Sequence, residues 1–292
     1  MREIISSISV GGLTAVYRRE SETGVVELVL VPTGCEGDIV RTACAAEPLV
    51  QAKLETDDAP AFFSGGRTMR NSPTVRAIVF NGQTVQKSDD KTVILTTLTD
   101  ARGLAYTHTL TLYADNPAAE VVTSVENTGS EAHTLEMLSS FTLGSLSPFS
   151  EGLAPETLKI HRLRSTWSAE GRLVTEAAED LQLEPSWKCY SANSVRFGSV
   201  GSFPVRGFVP FCAVEDTAHG VTWAAATTQG SSWQMELYRQ DFGLSLSGGL
   251  ADREFGAWCK TLAPGACFTA PKAVLTAVRG GADTAALALA EN

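Results

Sequence analysis

The chain has 292 residues, with 33 acidic against 23 basic side chains and a formal charge of −10. A surface field of that sign repels phosphate backbones, which argues against nucleic acid as a partner. The length allows a large core and fits one large all-β domain, and no run approaches the roughly 20 apolar residues that a membrane-crossing helix needs.

The opening, MREIISSISVGG, has one basic residue and no sustained apolar stretch, so it lacks the form of a signal peptide and a cytoplasmic location is expected. TAVYRR and then VVELVLV read as strands, the second a β-branched and leucine run suited to burial on both faces and ended by Pro32-Thr33-Gly34. Residues 45–60 turn polar and lose period, which reads as a connecting loop, and residues 61–73 (AFFSGGRTMRNSP) continue as a loop. VRAIVF follows as a strand, with Asn81-Gly82 behind it as a tight hairpin turn, since both residues tolerate positive φ.

TVILTTLTD, YTHTLTLYAD and AEVVTSVENTG are strands set off by Gly103 and by Asn116-Pro117. Alternation in the second places Tyr106, His108, Leu110, Leu112 and Ala114 on one face and Thr107, Thr109, Thr111 and Tyr113 on the other. HTLEMLSSFTLGSL is one long strand or a pair. Short runs between Gly, Asn and Pro turns, almost without helical periodicity, predict an all-β fold of two stacked antiparallel sheets. Only residues 283–291 (DTAALALAE) read as helix, with Asp283 at its N-cap. Residues 1–280 are thus expected to form the β domain and residues 281–292 a helical tail.

Several motifs occur in a fixed order: YTHTLTLYADN with VENTGSEAHTLEMLSSF, HRLRSTWSAEGRL, DLQLEPSW with RFGSVGSFPVRGFVPF, HGVTWAAATTQGSSWQMELYR, and LSLSGGLADREFGAWCKTLAPGACFTAP. Together, over about residues 103–271, they resemble the N-terminal domain of the family 36 glycoside hydrolases, the α-galactosidase or melibiase group. The resemblance implies a large β-supersandwich placed before a (β/α)₈ catalytic barrel, with the tail leading toward that barrel. The first hundred residues match weakly.

Retaining glycoside hydrolysis uses two carboxyl groups, one as nucleophile and one as acid/base. In the resembled family both are aspartates of the barrel, and no residue here matches a catalytic motif, so the resemblance implies a non-catalytic domain that acts with its barrel and supports oligomerisation. In many family members a Gly-Asp-Phe-Arg loop reaches toward a neighbouring subunit's active site. The comparable loop is Ser64-Gly65-Gly66-Arg67-Thr68-Met69-Arg70, which lacks the Asp-Phe pair. Arg67 and Arg70 are the candidate substrate-binding residues, because a guanidinium suits planar acceptors, with ordinary solvent exposure as the alternative.

Other features have structural readings beside functional ones. The five tryptophans are either core fillers with the indole N–H on a backbone carbonyl or platforms for sugar stacking. Gly248-Gly249 and Leu262-Ala263-Pro264-Gly265 read as turns. Asp252 and Glu254, two positions apart in a supposed strand, share a face, as an ion pair or a solvated edge rather than an acidic catalytic cluster. Six cysteines without CxxC spacing suggest neither a zinc site nor a redox pair, and no cofactor or metal is expected. Two rival functions remain: an independent carbohydrate-binding module, and an aldose-epimerase-like enzyme. The latter needs convergent acid/base groups, and the four histidines fall in unrelated contexts. The apolar segment AALALA and the sheet beside it are a candidate surface for association, a frayed tail being the alternative.

Overall fold

The computed structural model describes residues 2–40, 45–58, 68–151, 155–184 and 192–291. It is 57% strand and 9% helix, in stacked antiparallel sheets with a short C-terminal helix. The chain opens with a meander of β1 (Arg2–Val10), β2 (Leu13–Glu20) and β3 (Val26–Pro32). After it come β4 (Ala52–Leu54) and helix α1 (Pro73–Ala77), and then consecutive hairpins of β5 (Val79–Lys87), β6 (Lys91–Thr99), β7 (Leu104–Tyr113) and β8 (Asn116–Asn127). The next elements are β9 (His133–Leu146), β10 (Leu158–Thr166), β11 (Ala169–Ala177), β12 (Ala192–Ser199), β13 (Gly207–Asp216), β14 (Val221–Thr227), β15 (Trp233–Gln240) and β16 (Gly243–Leu250). Helix α2 (Arg253–Gly256), strands β17 (Lys260–Leu262), β18 (Cys267–Thr269) and β19 (Ala273–Arg279), and helix α3 (Ala282–Ala290) complete it.

One large sheet has the order β11-β10-β13-β14-β19-β8-β7-β6-β5, with β18 also on β8, and the other has the order β12-β15-β16-β9-β17, with β4 also on β9. Period-two alternation decides which side chains enter the space between them. In β7, Tyr106, His108, Leu110 and Leu112 are fully buried while the threonines between them stay half-exposed. Every residue of β3 is buried, as a run apolar on both faces requires, and the strand lies against β9 and β19. Trp223 and Trp233 fill the core, and their indole N–H groups donate to the carbonyls of Leu30 (2.7 Å) and Pro204 respectively. No helix among the described residues is long and apolar enough to cross a membrane.

Several local expectations are corrected. Asn81-Gly82 lies inside β5 at a bulge, because β6 pairs along the whole of β5 and the reversal falls at Ser88–Asp90, where Ser88 N donates to Lys91 O. Residues 73–77 are helical, not extended: Pro73 takes the first helical position and the Ser72 hydroxyl caps Val75 N. β4 sits within the stretch read as loop, with Ala52 and Leu54 buried against β9. Asp252 caps α2 and does not belong to a strand. Gly249 lies in β16, where a Cβ would come within 2.6 Å of Ser140 Oγ on β9, so close strand approach and not a turn explains it. The Gly265 turn forms as expected, with φ +79° and Ala266 N donating to Ala263 O.

The tail is helical, but Gly281 and not Asp283 occupies its N-cap. Its Ala285 and Ala288 pack with Phe211, Ala213, Ala224 and Val278 of the large sheet, so AALALA is already seated on its own domain, with Leu287 left 58% exposed. Cys35 and Cys212 are buried while Cys259 and Cys267 are exposed, and all four are free thiols. Cys44, Cys189 and Trp187 lie outside the described residues.

Candidate functional site

The side of the six-stranded sheet turned away from the main core is polar, and the strand grammar explains why. In β15, Trp233, Met235 and Leu237 enter the core, so Gln234, Glu236 and Tyr238 occupy the other face. Register then lines up Arg196 of β12, Glu236 of β15, Ser247 of β16 and Thr142 of β9 in one row across four strands. Ser194, Tyr238 and Ser245 form a second row beside it.

Arg70 lies on this face and is 1% exposed. Its guanidinium stacks 4.8 Å from the centre of the Tyr238 ring, Nη1 donates to the Glu236 carbonyl, and Nη2 donates to Ser245 Oγ (2.8 Å) and pairs with Glu47. Gln51 ties the cluster together by donating from Nε2 to Glu47 Oε1 (2.8 Å) and Asn71 Oδ1 (2.9 Å), while Asn71 N donates to Gln51 Oε1. Neither solvent exposure nor an open binding surface describes this arginine: it is the buried root of the loop. Arg67 lies outside the described residues.

Arg196 flanks Glu236 from the other side and is itself held by Asp252 (3.2 Å) and Glu254 (2.9 Å). Asp252 is fully buried: its Oδ1 accepts from Phe255 N and its Oδ2 from Gln234 Nε2, besides the Arg196 bond. Asp252 and Glu254 therefore meet through one guanidinium. Glu236 differs from both. It is 2% exposed, and neither carboxyl oxygen accepts a hydrogen bond. Burial pushes its carboxyl above the usual carboxylate range; the Arg70 charge acts in the opposite direction, as do the nearby Thr68 and Ser194 hydroxyls, which do not complete hydrogen bonds. Ser140 Oγ and Thr142 Oγ1 on β9 are buried without partners on the same face.

Beside Arg70 the face opens into a cleft of about 450 Å³, where Glu20, Glu47, Asn71, Arg76, Gln240 and Ser245 contribute to the lining. Carboxylate, amide and hydroxyl side chains stand there beside apolar ones such as Val25, Pro48 and Leu244, a mixture that can hydrogen-bond a hydroxyl-bearing ligand and cover its carbon skeleton. Sequence reading missed Glu236, although an acid in the middle of the alternating run WQMELYR was the available signal.

The remaining candidates disperse. His108 is fully buried with both ring nitrogens unpartnered, and burial pushes it down to about 4. His161 bonds to Thr175 (2.9 Å) and Glu215 (2.8 Å), and His219 to Asp216 (2.7 Å), so no two of the four histidines share a partner. Trp258 packs half-buried against Phe268, and Trp167 stands 92% exposed at the β10–β11 tip, so no described tryptophan is exposed on a sheet face. Among the described residues no group of three or more His, Cys, Asp or Glu side chains is arranged to hold a metal ion.

No protein-family model matches the sequence, and no curated protein matches it. Solved structures do. A variant of the GH36 α-galactosidase AgaA from Geobacillus stearothermophilus, crystallised with 1-deoxygalactonojirimycin, has a TM-score of 0.69 at 13% identity over 99% of this chain and 42% of that one. For AgaB of the same organism the values are 0.66 and 13%, over 94% and 40%. The α-galactosidase from Lactobacillus brevis gives 0.65 and 15%, over 94% and 39%. The chain thus spans about two fifths of the length of the enzymes it matches, and nearly all of it has a fold that those α-galactosidases contain.

Proposed function

We propose that this chain is the non-catalytic N-terminal domain of an α-galactosidase-like glycoside hydrolase, whose whole enzyme hydrolyses terminal α-galactosides in oligosaccharides. The observation that carries the reading is the asymmetry of coverage: 94% to 99% of this chain matches, against 39% to 42% of the α-galactosidases. The larger remainder of such an enzyme is where the barrel belongs. Within the assembly, residues 1–280 pack on the barrel and support oligomerisation, and residues 281–292 lead toward it. Residues 64–70 are the candidate for the galactoside contact, through Arg67, with the buried Arg70 anchoring the C-terminal end of the segment.

The buried carboxyls support a non-catalytic role. Retaining hydrolysis needs two carboxyl groups about 5 Å apart and open to substrate, whereas Asp252 is consumed by a helix cap and an ion pair, and Glu236 has no opening to solvent. The test is p-nitrophenyl α-galactoside with the purified chain, expected to give no turnover. Hydrolysis above background that is abolished by changing one Asp or Glu within the sequence overturns the reading.

A further inference from the structure

A second polar site lies at the turn between β13 and β14, built from four separate segments. Asp216, the last residue of β13, is fully buried and receives four donors. Its Oδ1 accepts from Ala218 N (2.9 Å) and His219 N (3.1 Å), and its Oδ2 from Ser147 Oγ and from His219 Nδ1 (2.7 Å). The two backbone bonds alone would cap the turn. The additional Nδ1 bond fixes the imidazole ring and leaves Nε2 to hydrogen-bond a ligand hydroxyl.

The His219 ring lies tilted against Phe149, 5.3 Å between centroids, and Phe149 in turn lies 5.8 Å from Trp223, so packing holds the ring as well. It borders a cleft of about 440 Å³, lined also by Cys35, Asp38, Val40, Val221 and Arg279. Arg279 is exposed at the end of β19, where its guanidinium hydrogen-bonds the Cys35 thiol and pairs with no carboxylate among the described residues, so the rest of its fork is available to a ligand. The cleft does not contain an activated nucleophile: burial pushes the Cys35 thiol up, with Arg279 only partly opposing it, and no hydrogen bond joins that thiol to His219.

We propose that this cleft binds a small hydroxy-monocarboxylate. The Arg279 fork takes the carboxylate, His219 Nε2 hydrogen-bonds the hydroxyl, and Phe149, Val40 and Val221 cover the carbon skeleton. Asp38 also lines the cleft, and its like charge disfavours a second carboxylate on the ligand. The net charge of −10 does not oppose this, because distant surface charges are screened beyond about 8 Å at physiological salt. Phe149 and Trp223 are buried, which leaves no open aromatic face for a neutral sugar to stack on flat. This site is independent of the α-galactosidase reading.

The experiment is a ¹⁵N-resolved NMR titration of the full chain with lactate, propionate and galactose, repeated on Arg279→Gln, an exposed position, and on His219→Phe, where Ser147 and two backbone amides still hold Asp216, the spectra of both variants also reporting folding. Lactate is expected to saturate in the millimolar range and to shift the amides of His219, Gly220 and Gly280, with propionate weaker. Arg279→Gln should weaken both acids about tenfold. His219→Phe should erase the difference between lactate and propionate while leaving propionate unchanged. Absence of saturable lactate binding, galactose binding as tight as lactate, or a lactate preference that survives His219→Phe overturns the proposal.

Discussion

Glu236→Gln should make the protein more stable, although it removes a charge flanked by two arginines. The carboxyl is 2% exposed, with both oxygens lacking hydrogen-bond partners. Each flanking arginine already holds another acid, Arg70 with Glu47 and Arg196 with Asp252 and Glu254, so neutralising Glu236 orphans neither. A buried polar group left unsatisfied costs about 1–3 kcal/mol, and more when charged, so the isosteric amide should gain at least about 1 kcal/mol near pH 8. The sign with pH follows from proton binding. Burial holds the folded carboxyl above its ordinary value, so the folded state keeps a proton that an unfolded glutamate, with a pKa of about 4.3, has lost. Wild-type stability therefore falls as pH rises from about 4.3 through the folded value, and the advantage of the variant grows over the same interval. Urea unfolding of both proteins at several pH values measures it. Equal or lower stability of the variant at every pH would mean that the carboxylate is well solvated or paired, and would refute the argument.

Arg70→Ala should cost about 3–5 kcal/mol, because Glu47 and Glu236 are left in a buried face without their cation; the pair Arg70→Met with Glu47→Leu should recover most of that in the same urea assay. His108→Leu should flatten the acid side of the stability curve: the folded histidine takes its proton only near about 4, whereas the unfolded one does so from about 6.5, so wild-type stability is lost as pH falls across that interval. A chain ending at Arg279 uncovers Phe211 and Val278 beneath α3, and light scattering should show it associating at concentrations where the full chain does not.

Where one face of a strand is buried and the other wet, the sequence carries the answer residue by residue. YTHTLTLYA alternates because Tyr106, His108, Leu110 and Leu112 face the core, and no helix pattern fits that spacing. Errors fell where a local signal competes with pairing partners that sequence cannot display. Asn81-Gly82 is a good turn dipeptide, yet β6 supplies ladder bonds past it, and the glycine serves a bulge instead. Gly249 looks like a turn residue until Ser140 of β9 is seen against it, over a hundred positions earlier in the chain.

The polar face was hidden for a related reason. Arg196, Glu236, Ser247 and Thr142 come from four strands, and only the strand order β12-β15-β16-β9 makes them a row. Composition alone reads Glu236 as one more surface acid among 33 acidic residues. What marks it is the conjunction of position and cover: an even place in a strand whose odd places are Trp233, Met235 and Leu237, and a lid that includes Arg70 from a loop more than 160 residues earlier. A purely structural sheet face gains nothing from a buried carboxyl without partners, since an apolar or amide residue of the same shape is less costly there. The grouping of acid, hydroxyls and guanidinium groups on one covered face is therefore the physical reason to look for function there, beside Arg70.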